Sequence, residues 1–477
     1  MISPWWMNGV VYCVDVARFC DSNGDGYGDF PGLTSKIPYL ADLGVTCLWL
    51  LPFQPSGGGD NGYDITDHFG VDPHYGTLDD FLHCQHKAGE AGIRVVTDLV
   101  LNHTSIKHPW FQAARNNPDS RYRDYYYWAE HPSPPEPGKG PIFPEREKTV
   151  WTYDETARAY YYHRFYRFQP SLNILNPEVQ DEIKRIIDYW TSFGISGFRI
   201  DAARHMLEPP FTSEELPRSN HAILQDIYQF SKKLKADCAV LGEADSPVET
   251  LKKFFEDHEM DMMFNFLLNK AFFESFATAS GKALRETYEH LPRRPGNHQW
   301  VNFLRNMDEL SLEGLSKEAQ EQVYKAFAPD ENMRVYGRGI RRRVAPLLGG
   351  DLRRIKLAVS LLFACPGVPC MVYGDEIGMG DDLSMPERQS VRLPMQWSAA
   401  ENGGFSTAPK DKLIQPMIEN GPFGFKMVNV ESQQGEKDSL LEFIRTLVHL
   451  RNEHPSIGLN EFDAVPTPCE CILALRY

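Results

Sequence analysis

The chain has 477 residues, 42% of them hydrophobic and 24% charged, and a net charge of −16. The composition is that of a globular protein, and the length fits one large barrel with insertions or two to three ordinary domains. The acidic balance argues against nucleic acid and anionic membranes as partners.

Aromatic residues make up 12% of the chain, with 21 Tyr and 9 Trp. Several stand in polar stretches, such as Tyr125 to Trp128 and Tyr160 to Tyr162, where flat apolar faces suit sugar rings and also ordinary surface packing. The N-terminus, Met1-Ile2-Ser3-Pro4-Trp5-Trp6, does not read as a signal peptide. No apolar run is long enough for a membrane span. The nine cysteines are scattered without a C-x-x-C pair, which suggests a reducing cytoplasm and no zinc site.

In chain order, a strand is predicted over Val10 to Val16. It leads into Asp21-Ser-Asn23-Gly-Asp25-Gly-Tyr27-Gly-Asp29. Oxygen donors at alternate positions with glycines between them let a loop wrap a hard cation, calcium first and magnesium as a substitute. The pattern resembles the first half of an EF-hand loop, although no helix precedes it. A glycine-rich Asx turn with solvated acids is the other reading. A helix (Thr34 to Asp42) and a second strand (Thr46 to Leu51) follow. After the glycine-rich loop Ser56 to Gly62 come Tyr63 and Asp64, a helix (Leu78 to Ala91) and a third strand from Ile93 ending in Asn102 and His103.

Residues 104–175 break this rhythm with a proline cluster, Pro132, Pro134, Pro135, Pro137, Pro141 and Pro144, and read as a loop-rich inserted subdomain. The alternation resumes with a helix from Pro177 to Phe193. Strand four is Gly197-Phe-Arg199-Ile-Asp201. A helix (His221 to Lys235) precedes strand five, Cys238 to Glu243. Strand six is Asp261 to Phe264, and strand seven, Trp300 to Leu304, runs on to Asp308. A helix (Leu352 to Leu362) precedes strand eight, Val368 to Tyr373, and the last long helix spans Ser439 to Asn452.

Eight strands alternating with helices predict an α/β fold, a (β/α)₈ TIM barrel. The barrel takes residues 1–103 and 176–455, the subdomain 104–175. Residues 456–477 read as a remnant or the start of a C-terminal β-domain, with one strand at Cys471 to Tyr477.

Active sites of such barrels lie at the C-terminal strand ends. Asp64, Asn102, His103, Asp201, Glu243 and Asp308 all fall there. Three carboxylates on one rim point to cleavage of a glycosidic bond by an acid and a nucleophile. Asp201 suits the nucleophile, because Arg199 two residues earlier shares its face of the strand and holds it ionised. Glu243, with no adjacent cation in sequence, suits the general acid. Spacing alone leaves the opposite assignment open. Asp308, His103 and Asp64 would hold sugar hydroxyls.

The motifs Asp98-Leu-Val-Leu-Asn102-His103, Gly197-Phe-Arg199-Ile-Asp201, Gly242-Glu243 and Asn306-Met307-Asp308 together resemble the α-amylase family of glycoside hydrolases and transglycosylases, over nearly the whole chain. The resemblance implies Asp201 as nucleophile, Glu243 as acid/base and Asp308 as transition-state stabiliser, in a retaining mechanism through a covalent glucosyl-enzyme. Within the family the likeness is nearest to trehalose synthase members. It is carried by His108-Pro-Trp-Phe-Gln112, His163-Arg-Phe165, Gly339-Ile-Arg-Arg-Arg343, Tyr373-Gly-Asp-Glu-Ile-Gly-Met379 and Val391-Arg392-Leu-Pro-Met-Gln-Trp397; the last is shared with α-glucosidases. It implies that Arg392 and Asp64 close the pocket around a terminal glucose, that the substrate is a small saccharide such as maltose or trehalose, that Asp21 to Asp29 is a calcium loop, and that no organic cofactor is needed.

Two departures from the family pattern bear on function. Met307 stands where a sugar-binding histidine is usual and cannot supply its hydrogen bond, which leaves open a slow enzyme, an altered substrate or a weakly catalytic sugar-binding protein. Separately, maltose–trehalose interconversion needs a closed pocket that retains the released glucose, and a looser pocket would give a hydrolase of short α-glucosides. Ser171 replaces the usual aspartate of a second calcium site, where Asn102 and Glu208 remain.

Overall fold

The structure, a computed structural model, describes residues 3–132, 134–135, 139–208, 210, 217–256, 258–292, 294–460 and 462–477; Pro137 of the proline cluster lies outside them. Eight parallel strands close into a barrel: β1 (Val11–Val14), β2 (Cys47–Leu50), β3 (Arg94–Leu99), β4 (Gly197–Ile200), β5 (Ala239–Gly242), β6 (Met262–Phe264), β7 (Gln299–Phe303) and β8 (Val368–Val372). Each pairs with its neighbours in chain order, and β8 closes on β1 with Cys370 opposite Val11.

All their residues are buried except Arg94 at the start of β3. Covered on both faces, such strands are continuous apolar runs rather than alternating ones. Gly197 opens β4 because its backbone lies against β5: a Cβ there would sit 2.4 Å from the Ala239 carbonyl oxygen.

The expected strands are all present, most of them a residue or two shorter; the third stops at Leu99, which leaves Asn102 and His103 beyond the strand, and the seventh starts one residue earlier, at Gln299. Val16 instead starts a short helix (Val16–Phe19) whose first turn is capped by the Asp15 carboxylate. The single helix expected over Thr34 to Asp42 is two, Phe30–Ser35 and Ile37–Leu43. The break falls at Lys36 because Pro38 lacks an N–H and is tolerated only in a first helical turn.

The inserted subdomain contains a feature that sequence reading missed, an antiparallel sheet of Trp128–Ala129, Trp151–Asp154 and Ala159–Tyr162. Its tyrosines explain the polar-looking aromatic runs: Tyr125, Tyr126, Tyr127, Tyr161 and Tyr162 are buried packing residues. Bridges from His103 to Ser171 and from Tyr126 to Leu172 close the neck of this excursion. A second excursion after β7 carries a small sheet of Leu310–Ser311, Arg334–Val335 and Gly339–Ile340. At the C-terminal end the strand expected over Cys471 to Tyr477 is Ala474–Arg476, paired with Asp463–Val465 as a two-stranded ribbon. Among the described residues no helix is long and apolar enough to cross a membrane.

Candidate active site

One guanidinium organises the rim. Arg199, 1% exposed, lies within β4. Its Nη1 donates to Asp98 Oδ1 (2.8 Å) on β3 and to Asp201 Oδ1 (2.6 Å) just past β4. Its Nη2 lies 2.7 Å from Glu243 Oε2, just past β5. Glu243 therefore has the cation that sequence reading denied it, because the neighbour sits on the adjacent strand rather than nearby in the chain. Burial raises the Asp98 carboxyl to about 7 against the pull of Arg199. Burial also raises Asp201 and Glu243, again opposed by Arg199; the Asp308 carboxylate pushes both up further, and Asp201 does the same to Glu243. The turn after β4 places both groups: Ala202 adopts a left-handed conformation (φ 50°) and donates its N–H to Glu243 Oε2 (3.2 Å). Such strained non-glycine residues cluster at functional sites.

The third acid sits in a different field. Asp308 Oδ1 accepts from Arg388 Nη1 (2.6 Å) and Arg392 Nη2 (2.7 Å). Arg388 Nη2 also reaches Asp60 Oδ1 (2.7 Å). Burial pushes Asp308 up, but the two arginines override it and hold the carboxyl at about 2. This group is a fixed anion, suited to stabilising positive charge as a glycosidic bond breaks and unsuited to donating a proton.

These groups enclose a cavity of about 580 Å³, the size of a small-molecule site, lined by Asp60, His103, Asp201, Glu243, Asp308 and Arg388 among others. Phe143 and Phe165 of the inserted subdomain form part of its wall. Asp201 is the deeper of the acid pair, with 9% of its side chain exposed against 21% for Glu243. A nucleophile belongs at the closed end and a proton donor beside the departing group, so the geometry favours Asp201 for attack and Glu243 for protonation.

Several expected residues stand elsewhere. Asp64 does not line the cavity: its carboxylate accepts the N–H groups of Gly59 (3.0 Å) and Asp60 (3.1 Å), folding the loop back on itself. Asp60, four residues earlier, is the acid that faces the pocket, and sequence reading missed both it and Arg388. Arg392 lies behind the wall, 1% exposed, and acts through Asp308. Met307 is buried in the apolar core and absent from the cavity lining; its carbonyl accepts from Arg392 Nε (2.8 Å). His103 does line the cavity. Burial lowers its imidazole to about 4, so the ring is neutral, and Nε2 contacts the Tyr63 carbonyl (3.2 Å).

Residues 14–459 match the family described as alpha amylase, catalytic domain. The chain belongs to the α-amylase family. It is 41% identical to a trehalose synthase of Thermus thermophilus over 473 residues, covering 98% of this chain and 49% of that one. It is 39% identical to the trehalose synthase/amylase TreS of Mycobacterium tuberculosis over 476 residues, covering 98% and 79%. The chain thus spans about half of the Thermus relative's length. Among solved structures, an α-amylase from H. orenii superposes with a TM-score of 0.80 at 29% identity, covering 98% of this chain and 87% of the other. A mutant of the trehalulose synthase MutB, in complex with sucrose, superposes with a TM-score of 0.78 at 25% identity, covering 98% and 87%. Residues 14–459 are thus the family's catalytic domain.

The two metal positions suggested by the family resemblance differ. In the Asp21 to Asp29 loop the donors are hard oxygens, as calcium requires. As folded, they serve the loop itself: Asp21 accepts from the amides of Asn23 (3.0 Å), Gly24 (2.7 Å) and Gly26 (2.8 Å), and Asp29 from that of Ser22 (3.1 Å). Among the described residues no three His, Cys, Asp or Glu side chains are grouped to hold a metal.

At the second position the residues do not fit a cation. Ser171 is spent on the Arg164 amide (3.2 Å), and Glu208 is surrounded by Arg204 (3.2 Å), His205 (3.2 Å) and Arg164 (3.5 Å). Burial raises Glu208, but these partners override it and hold it at about 2. His205 is itself lowered by burial, so near neutral pH it donates an N–H while the arginines carry the charge. A carboxylate depressed from 4.5 to about 2 stabilises the fold above pH 4.5 and loses that contribution as pH falls towards 2. Glu208→Gln is expected to cost on the order of 2–3 kcal/mol at pH 7 and little at pH 2. Denaturant melts at the two pH values check this; an equal loss at both would contradict it.

Proposed function

We propose that this chain is a retaining α-glucosyl-transferring enzyme of trehalose synthase type. It takes maltose, with Asp201 attacking the anomeric carbon as Glu243 protonates the departing glucose. Atoms balance through two displacements: the glycosidic C–O bond breaks as the C–O bond to Asp201 forms. The retained glucose then attacks the same anomeric carbon through its own anomeric hydroxyl, the C–O bond to Asp201 breaks to free its carboxylate, Glu243 takes the hydroxyl proton, and trehalose leaves. The observation that carries this reading is the walled cavity in which Arg199 links the acid pair while Arg388 and Arg392 clamp Asp308 as an anion. Support comes also from the curated relatives of about 40% identity over nearly the whole chain. Incubation with maltose, followed by NMR, should give trehalose as the main product, and trehalose should return maltose. Free glucose without trehalose would make the enzyme a hydrolase of short α-glucosides.

In the same reading the Asp21 to Asp29 loop takes one calcium ion, through side-chain oxygens of Asp21, Asn23, Asp25 and Asp29 and the carbonyl of Tyr27. Metal analysis should find one ion per chain, and chelation should lower Tm. Unchanged metal content and Tm after chelation would remove this site; a second ion would contradict the arginine-filled position at Glu208.

A further inference from the structure

The chain has nine cysteines, all free, of two kinds. Cys13, Cys20, Cys47, Cys84, Cys238, Cys365 and Cys370 are buried. Burial pushes their thiols up, to about 12 for Cys47 and Cys365 and about 11 for Cys84 and Cys238, which makes them poor nucleophiles. Cys469 and Cys471 differ. They flank Glu470 in the turn of the C-terminal ribbon; Cys471 is exposed and Cys469 half-buried, and their Sγ atoms are in contact.

The turn is held in this shape from two sides. Within it, Thr467 Oγ1 donates to the carbonyls of Cys469 (2.9 Å) and Ile472 (3.0 Å), and the Ile472 amide donates to Cys469 O (3.2 Å). From the barrel, the Gly281 amide donates to Glu470 O (2.6 Å), and Arg285 Nη1 donates to the carbonyls of Glu470 (3.3 Å) and Ile472 (3.1 Å). The helix Lys282–His290 therefore presents the two thiols side by side at the surface. The hydrogen bond from Cys471 lowers the Cys469 thiol and raises its partner, so Cys469 is the attacking group and Cys471 the resolving one.

We propose that Cys469 and Cys471 are a thiol modification site, a dithiol that a small-molecule disulfide such as oxidised glutathione converts to an intramolecular disulfide. The Cys469 thiolate attacks one sulfur of the reagent and expels the first glutathione as a thiolate. Cys471, losing its proton, attacks the Cys469 sulfur and expels the second. Two electrons pass from the cysteine pair to the reagent, and the two cysteine protons leave on the two glutathiones. The site lies on the ribbon and uses none of the groups of the catalytic cavity, so it stands apart from the proposed activity.

The test is to treat the native full chain with oxidised glutathione, remove the reagent, and count thiols in denaturant. The expected result is a loss of two of the nine thiols, with the peptide holding Cys469 and Cys471 lighter by two hydrogens and restored by dithiothreitol. In Cys471→Ser, an exposed position where folding is not at stake, the reaction should stop at a glutathione adduct on Cys469. Both thiols remaining alkylatable, adducts on the seven buried cysteines, or covalent dimers as the main product would each overturn the proposal.

Discussion

Asp201→Asn is expected to reduce turnover of maltose by roughly 10⁴-fold or more, since the amide can neither attack carbon nor carry the glucosyl group. Its fold should persist, because Asn keeps the size of the side chain and an oxygen able to accept from Arg199 Nη1, which now stands 2.6 Å from the carboxylate. Saccharide binding, read by calorimetry, should therefore survive within about tenfold, a change of about 1.4 kcal/mol. Loss of both binding and turnover would place Asp201 in a structural ion pair with Arg199. Turnover within tenfold of the parent would remove it from the chemistry.

Arg388→Ala carries the second largest expected effect. Arg388 bridges the half-buried Asp308 (2.6 Å) and the buried Asp60 (2.7 Å), two acids that otherwise repel each other. Without it, only Arg392 and the more distant Arg199 oppose the burial that pushes Asp308 up, so the carboxyl should rise from about 2 and lose part of its hold as an anion. Removing one such electrostatic element costs about 2.7–4 kcal/mol of barrier, or about 10²–10³ in rate. We expect the loss mainly in kcat, with the acidic limb of the pH–rate profile moved to higher pH. Arg388→Lys, which keeps the charge but not the fork that grips both acids, should recover only part of the loss. A rise in KM with kcat and the pH profile unchanged would make Arg388 a sugar-binding residue and nothing more.

The barrel was legible because its strands are buried on both faces: Val368 to Val372 and Ala239 to Gly242 are unbroken apolar runs, each followed by polar rim residues. The subdomain sheet was not, because its strands are short and rich in tyrosine, and their partners are set by tertiary packing. Asp201, Glu243 and Asp308 could be found by where their strands end. Asp60 could not be told from Asp64 in that way. Both lie in one glycine-rich loop, and only the amides of Gly59 and Asp60 turning onto Asp64 decide which acid faces the cavity. Arg388 is separated from Asp60 by 328 positions, and no local pattern links them. A usable signal was the pair Arg388 and Arg392, two cations close together in a stretch with little regular structure after β8.

Met307 changes meaning between sequence and structure. In the motif it suggests a missing sugar contact and a weakened enzyme. In the fold its side chain packs in the core and only its carbonyl is engaged, by Arg392. The methionine supports the arginine that grips Asp308 and contributes no surface to the cavity.

Trapping the covalent intermediate tests the assignment of the acid pair most directly. A 5-fluoro-α-glucosyl fluoride forms the glucosyl-enzyme readily and leaves it slowly, so peptide mass spectrometry can locate the label. The expected result is one fluoroglucosyl unit on Asp201, with none in Asp201→Asn. A label on Glu243 would reverse the roles assigned here, and no label with turnover of the reagent intact would contradict a covalent, retaining mechanism.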